Sequence, residues 1–145
     1  MLDQYGRTID YMRISITDRC NLRCRYCMPE AVESVSHCDV LRYEEILRIC
    51  RAAARLGISK FKITGGEPLV RKADILRLCQ AHPDCEFSAF TNGTLIDEEF
   101  CQEMLRVGNF FVSISVEGFE EANDGRRGRE HFQKALDAMD LLRSH

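Results

Sequence analysis

The pattern that most constrains the fold of this 145-residue chain is a regular alternation of strand-like and helix-like segments. Each of four short runs rich in β-branched or aromatic residues is followed by a segment with apolar residues at helical spacing. Strict alternation of this kind predicts parallel strands joined by right-handed helical crossovers. The predicted strands are residues 11–17, 60–64, 86–91 and 109–116, and the predicted helices are residues 43–56, 73–81, 97–107 and 131–142.

Four strand–helix units occupy the chain without an internal repeat or a low-complexity linker, so we expect residues 1–145 to form one domain. A closed barrel of eight such units takes about 250 residues. We therefore predict an α/β fold in which the parallel strands form an open arc, with any chemistry at their carboxyl ends. The distinctive motifs of the sequence follow those ends, at residues 20–27, 65–68, 92–93 and 115–118.

Composition and charge are those of an ordinary soluble globular protein, with 45% hydrophobic residues, 30% charged residues and a formal net charge of -3. The arginines at 126, 127 and 129 have no aromatic residues between them, which argues against a nucleic-acid partner and favours a solvated loop over residues 117–129. No apolar run approaches the ~20 residues that span a membrane. The first residues also lack the features of a signal peptide, so we expect a cytoplasmic protein with no membrane partner.

Three cysteines lie close together directly after the first predicted strand, at Cys20, Cys24 and Cys27. Three thiolates on one short loop can converge on a metal centre and leave a coordination position open, as reactive metal sites often do. A structural zinc site is the alternative interpretation, with His37 or Cys38 as the fourth ligand. Zinc motifs more often consist of two separated pairs of ligands, so this spacing favours a reactive centre.

The remaining cysteines are scattered along the chain and do not suggest a second metal site. Cys50, Cys79 and Cys101 fall inside the predicted helices, where a buried and unreactive thiol is the usual outcome. A disulfide framework is typical of small secreted chains, and the long helical and strand patterns here do not fit one.

The second motif is Gly65, Gly66, Glu67 and Pro68, at the end of the second predicted strand. Two glycines allow a ligand to approach the backbone closely, and we expect their amides to be free to bind it. A carboxylate held at this edge by the following proline suits an ammonium group. The alternative is an ordinary strand-to-helix turn that carries a solvated glutamate.

Together, the cysteine motif with Tyr26 and the glycine-rich turn resemble the radical S-adenosylmethionine superfamily. The resemblance implies a partial (β/α)6 barrel, of which this chain supplies about four strand–helix units and is expected to be truncated at its C-terminus. It also implies a 4Fe–4S cluster held by Cys20, Cys24 and Cys27. The amino and carboxylate groups of S-adenosylmethionine would chelate the fourth iron of that cluster.

The same resemblance implies the cofactor contacts and the chemistry. Tyr26 would lie near the adenine, Gly66 and Glu67 would contact the amino group, and Ser115 would lie near the cofactor on the fourth strand. Gly65 would also belong to the cofactor site. An external one-electron reductant would supply the electron that cleaves S-adenosylmethionine. The 5′-deoxyadenosyl radical formed would then abstract a hydrogen atom from the substrate, while the protein orients the reactants and excludes water.

Two branches of the superfamily share features with the chain. The N-terminal third resembles the GTP 3′,8-cyclases of molybdenum cofactor biosynthesis, which are lyases and bind the small molecule GTP. By that resemblance Arg13 and Lys62 are candidate substrate-binding residues. Lys62 replaces an arginine of that family and cannot make a bidentate contact, and Phe90 replaces a threonine.

The second half of the chain resembles a different branch, the radical enzymes that carry a SPASM-type auxiliary-cluster domain. That similarity rests on residues 115–118 and 123–128. Many members of this branch modify peptides or proteins, so a peptide is the alternative substrate. A metal-binding fragment without catalytic activity is the remaining hypothesis.

Overall fold

The computed structural model describes residues 2–28 and 35–145 and places four parallel strands side by side in chain order. The strands are β1 (Tyr11–Ser15), β2 (Lys60–Thr64), β3 (Glu86–Thr91) and β4 (Phe110–Ile114). The helices are α1 (Tyr43–Arg55), α2 (Lys72–Ala81), α3 (Glu98–Val107), α4 (Glu120–Arg127) and α5 (His131–Ser144), with 3-10 turns at His37–Asp39 and Pro68–Arg71. The predicted α/β fold with an open parallel sheet is confirmed.

The register of the strands aligns two rows of apolar side chains on one face of the sheet. Alternate residues of a strand point to the same face, so each row runs straight across all four strands. Buried residues of α1, α2 and α3 complete a single core against this face, and the rings of Phe61 and Phe87 stack within it at 5.2 Å. The rows are Met12, Phe61, Phe87 and Phe110, and Ile14, Ile63, Ala89 and Val112.

The opposite face of the sheet is more open. Tyr11, Phe90 and Phe111 are 43–48% exposed there. Arg13 and Lys62 are register partners on the same face. Because the helices pack against the other face, the open face corresponds to the interior of the predicted partial barrel.

Local signals in the sequence correctly mark the ends of α3. The side chain of Asp97 accepts a hydrogen bond from the backbone N–H of Phe100 at 2.9 Å, which satisfies a donor that the helix itself cannot pair. Gly108 ends the helix in the left-handed conformation with φ of 71°.

The prediction of a loop over residues 117–129 is wrong, because α4 lies within it. The segment contains Gly125 and other poor helix formers, so its local preference is weak. Two effects stabilise the helix. The first is electrostatic, because Glu120 and Glu121 lie at the positive N-terminal end of the helix dipole and arginines lie at its C-terminal end. The second is packing, because Asn123 and Arg127 are buried one turn apart. None of the helices in the described part of the chain is both long enough and apolar enough to cross a membrane.

Candidate functional site

A cavity of about 230 Å³ opens at the carboxyl ends of β2, β3 and β4, beneath the loop that carries the cysteines. Every metal and cofactor residue predicted from the sequence borders this one cavity. The lining is Cys20, Leu22, Cys24, Tyr26, Cys27, Met28, Thr64, Gly65, Gly66, Glu67, Phe90, Thr91, Asn92, Ser115 and Arg127.

The three cysteines differ in their surroundings. Cys24 is 7% exposed, Cys20 is half-buried and Cys27 is exposed. Burial raises the pKa of the Cys24 thiol, an effect that the nearby charge of Arg127 opposes. Within residues 2–28 and 35–145, no three His, Cys, Asp or Glu side chains form a group that could hold a metal ion as they stand. Cys38, the alternative fourth ligand, is exposed and does not border the cavity among its described lining residues.

The paired glycines serve the chain's own backbone. A Cβ atom on Gly65 would lie 2.3 Å from the carbonyl oxygen of Thr17, and one on Gly66 would lie 2.3 Å from that of Arg19. The amides of Gly66 and Glu67 donate to these same two oxygens at 2.8 Å. The expectation that the glycine amides are free for a ligand is therefore wrong for Gly66: the segment after β1 lies against the turn and accepts the hydrogen bond of its amide.

Glu67 is buried, with 1% of its surface exposed, so the alternative of a solvated glutamate is wrong. Its Oε1 accepts hydrogen bonds from Leu69 N at 2.9 Å and from the Thr91 hydroxyl at 2.7 Å. Its Oε2 accepts one from Asn92 N at 2.7 Å. The carboxylate thus joins the end of β2 to the end of β3.

A buried polar chain continues from Asn92 to α4 and was not predicted. His131, 1% exposed, uses Nε2 toward the carbonyl oxygen of Asn92 at 3.0 Å and Nδ1 toward Asn123 Nδ2 at 2.9 Å. The Oδ1 of Asn123 in turn accepts from Glu117 N at 3.1 Å. These partners fix the neutral tautomer of His131 with its proton on Nε2. Burial lowers the pKa of this histidine.

Three side chains, Tyr26, Glu117 and Arg127, connect the cysteine loop to the end of β4. Tyr26 was predicted as a cofactor residue, but these contacts were not predicted. The Glu117 Oε1 accepts from the Tyr26 hydroxyl at 2.8 Å and from Arg127 Nη2 at 2.6 Å. Burial and the Glu117 hydrogen bond raise the pKa of Tyr26 to about 12. The hydrogen bond from Arg127 holds the pKa of Glu117 below its usual value. Glu117 is part of the predicted motif at residues 115–118, so the signal that could have indicated its role was an acidic residue at a strand end.

Arg13 and Lys62 lie on the open face of the sheet, and neither borders the cavity among its described lining residues. The Lys62 Nζ lies 4.3 Å from the centroid of the Phe90 ring, within cation–π range. Phe90 borders the cavity. The Arg13 Nε donates to the Tyr11 hydroxyl at 3.5 Å.

A larger cavity, about 480 Å³, lies between the segment after β1 and the start of α1. Its lining includes Arg42, Arg71 and Asp74, and Arg71 donates to the carbonyl oxygens of Ile16 and Leu41. None of the site residues predicted from the sequence borders it within the described chain, so size alone does not mark the candidate site.

Known proteins resemble this chain both in sequence and in structure. The chain is 46% identical over 121 residues to the GTP 3′,8-cyclase of Petrotoga mobilis, covering 81% of this chain and 37% of that protein. It is 50% identical over 102 residues to the GTP 3′,8-cyclase of Geobacter sulfurreducens, covering 68% of this chain and 31% of that protein. The chain therefore spans about a third of the length of these curated relatives.

Among solved structures, the fold is similar to that of anSMEcpe with bound AdoMet. That match has a TM-score of 0.72 and 25% identity and covers 92% of this chain and 40% of that one. A second structure of anSMEcpe, with AdoMet and a peptide, matches with a TM-score of 0.73 at 24% identity, covering 92% and 41% of the two chains.

A family model matches nearly the whole length of the chain, over residues 14–145, and its description is the radical SAM superfamily. The 4Fe–4S cluster and S-adenosylmethionine are the cofactors of that family. On this match, and on the arrangement of the cysteine loop and the glycine-rich turn around one cavity, the chain belongs to the radical S-adenosylmethionine superfamily.

Proposed function

We propose that this chain is the core of a radical S-adenosylmethionine enzyme with an activity like that of GTP 3′,8-cyclase, and that it works in the cytoplasm. The observation that carries the proposal is the single cavity bordered by all three loop cysteines and by the glycine-rich turn. When bound, the cluster and S-adenosylmethionine supply a 5′-deoxyadenosyl radical. Residues 1–145 then form the domain that holds both cofactors.

The cavity lining fits an amino acid-bearing cofactor in two respects. The Nε of Arg127 is buried without a hydrogen-bond partner among the described residues, and Arg127 borders the cavity, so it suits the carboxylate of methionine. The Oε2 of Glu67 has one donor, Asn92 N, in the described chain, which leaves acceptor capacity for an ammonium. Tyr26 and Ser115 border the same cavity and would contact the rest of the cofactor.

Anaerobic reconstitution with iron and sulfide tests this proposal. We expect broad visible absorption that is lost in Cys24→Ala, and release of 5′-deoxyadenosine from S-adenosylmethionine after reduction. A colourless protein that holds stoichiometric zinc would refute it and favour the structural metal site.

The substrate is best assigned to GTP through Arg13 and Lys62. These two cations are register partners on the open face of the sheet, and the Lys62 ammonium lies over the ring of Phe90, which borders the cavity. A triphosphate that extends from the cavity over this face would meet both cations. Isothermal titration with GTP measures the contact, and Lys62→Arg and Phe90→Thr should each tighten binding. Absence of binding, even in a chain extended beyond residue 145, would overturn the cyclase assignment.

A peptide substrate is the second candidate, favoured by one specific contact. The Phe90 ring borders the cavity, and the Lys62 ammonium lies over its face. This cation–π contact competes with the binding of Lys62 to a triphosphate. An apolar ring at the cavity edge also suits a peptide side chain. Under this alternative, Phe90→Thr would leave GTP binding undetectable.

A further inference from the structure

Four exposed arginines lie together on the outer side of the cysteine loop. Arg23 and Arg25 belong to the loop itself, whereas Arg126 and Arg129 lie at the C-terminal end of α4 and just beyond it. All four border one shallow cavity of about 340 Å³. We refer to these four residues as the arginine surface.

The two parts of the arginine surface are held together by backbone. The amide of Arg25 donates to the carbonyl oxygen of Arg126 at 2.9 Å, which joins the loop directly to α4. The Arg23 guanidinium donates to the carbonyl oxygens of Cys20 and Leu22 at 2.8 and 2.9 Å and braces the loop. The surface is therefore ordered as one unit next to the cysteines.

The positive charge of this surface is compensated only in part within the described residues, in a chain whose formal net charge is -3: Arg126 forms an ion pair with Glu117 at 3.4 Å. The side chains of Arg25 and Arg129 have no hydrogen-bond or ion-pair partner within residues 2–28 and 35–145. The one acidic residue of the lining, Asp124, accepts hydrogen bonds from the backbone amides of Phe132 and Glu130 at 2.8 and 2.6 Å. Its carboxylate is thus directed toward the start of α5.

The position of these charges matters because Arg23 and Arg25 flank Cys24 in sequence, and Cys24 borders the cofactor cavity on the other side of the loop. A protein bound to the arginine surface would therefore lie against the loop that carries the cysteines. Clusters of uncompensated charge steer oppositely charged partners to such a surface and speed their association.

We propose that the arginine surface docks an acidic one-electron carrier protein, which reduces the cluster held by the neighbouring cysteines. The inference rests on the function proposed above. One electron leaves the reduced flavin or iron–sulfur centre of the carrier and enters the oxidised cluster, and no bond forms or breaks. The surface supplies only orientation and attraction, because arginine does not itself take part in electron transfer.

The first experiment measures binding and does not need the cluster. Fluorescently labelled flavodoxin, an acidic carrier, is titrated with the chain at low ionic strength. We expect the double variant Arg25→Glu with Arg129→Glu to bind at least about 10-fold more weakly. The control, Arg51→Glu with Arg55→Glu, makes the same charge change at exposed positions of α1 and should bind like the parent.

The second experiment measures electron transfer in the reconstituted protein. The bleaching of cluster absorbance by reduced flavodoxin should slow about 10-fold in the Arg25 and Arg129 double variant, and rising salt should remove the difference. Photoreduced deazaflavin, a small reductant that needs no docking, should reduce both proteins at equal rates.

Equal flavodoxin binding by both proteins, or salt-dependent binding of the surface to single-stranded RNA instead of flavodoxin, would overturn the inference. Failure to form a cluster would contradict the proposed function. The flavodoxin titration, which does not need the cluster, would then still decide whether the arginine surface docks the carrier.

Discussion

Glu67, Asn123 and His131 are polar side chains with almost no exposed surface, yet each has hydrogen-bond partners on a different segment of the chain. An unpaired buried polar group costs about 1–3 kcal/mol, so each of these residues is stable only while its partners stay in place. The consequence is a single arrangement of the strand ends around the cavity.

His131 makes the stability of the protein depend on pH. Protonation of Nδ1 would remove the acceptor for Asn123 Nδ2, and burial already holds the pKa of His131 below its ordinary value of 6.5. Below pH 6.5 the unfolded state therefore binds more protons than the folded state. We expect the free energy of unfolding to fall between pH 7 and pH 5, and His131→Gln to reduce that slope although it lowers stability at pH 7. Urea denaturation at several pH values measures both effects.

His145 provides the matched control for this prediction. It is a terminal histidine whose pKa is raised, first by the carbonyl oxygen of Leu141 and then by Glu98, so its contribution has the opposite sign. That contribution is present below pH 6.5 and is lost as pH rises through the raised pKa. A variant His145→Gln that abolished the acid-side loss of stability would contradict the role given to His131.

Gly66, like Gly65, is a glycine whose substitution should disrupt the packing of the turn against the segment after β1. An alanine there would bring a Cβ within 2.3 Å of Arg19 O and within 2.6 Å of Asp18 O, which are backbone atoms and cannot move independently. We expect Gly66→Ala to lower the free energy of unfolding by about 3 kcal/mol or more. Chemical denaturation measures the change.

The comparison for Gly66 is Gly125, a glycine inside α4 with no atom near an added Cβ. Gly125→Ala should raise stability by up to about 1 kcal/mol, because alanine is the better helix former. If Gly66→Ala and Gly125→Ala lowered the free energy of unfolding by similar amounts, the close approach of the backbone at Gly66 would not be the reason that a glycine is needed there.

At the scale of the elements, the start of α3 combines a helix cap with an ion pair. Asp97 caps Phe100 N and forms an ion pair with Lys72, and the Lys72 hydrogen bond holds the pKa of Asp97 below its ordinary value of 3.8. Its charge therefore stabilises the fold above about pH 4, and this contribution is lost as pH falls through the lowered pKa. We expect Asp97→Ala to cost about 1 kcal/mol at pH 7, a difference that narrows below pH 4 in thermal unfolding.

Asp97→Asn separates the two contributions, since asparagine retains an acceptor for Phe100 N but has no charge. This variant should keep most of the stability at pH 7 and lose the acid dependence. If Asp97→Ala and Asp97→Asn lost equal stability at every pH, the whole contribution of Asp97 would come from its ion pair with Lys72 and none from the helix cap.

The strands and most helices were predictable because their signals are local: hydrophobic periodicity, the Asp97 cap and the Gly108 end. Helix α4 was not, since its residues have weak helix preference and its stabilising contacts lie elsewhere in the chain. The hydrogen bond between His131 and Asn92 joins residues 39 apart, and no pattern within a short window indicates it. The cysteines and the glycine turn were found because the two motifs are specific as a pair and because the carboxyl ends of parallel strands converge.

At the scale of the whole molecule, β4 forms one edge of the sheet and the open face exposes aromatic side chains. An unpaired edge beside apolar surface favours association with another chain. We expect this chain to self-associate reversibly, and Phe111→Lys, on the open face, to shift it toward monomer in sedimentation velocity. Leu105→Lys makes the same change on α3, where Leu105 is 60% exposed, and should have no effect. A parent chain that stays monomeric at high concentration would contradict this prediction.

The contact between the segment after β1 and the turn at Gly65 and Gly66 has a consequence for ligand binding. Since backbone hydrogen bonds already order this part of the cavity wall, cofactor binding need not supply the entropy of ordering it. The amide protons of Gly66 and Glu67 should then exchange slowly with deuterium even in cofactor-free protein. This part of the cavity wall is formed when the chain folds, before either cofactor binds.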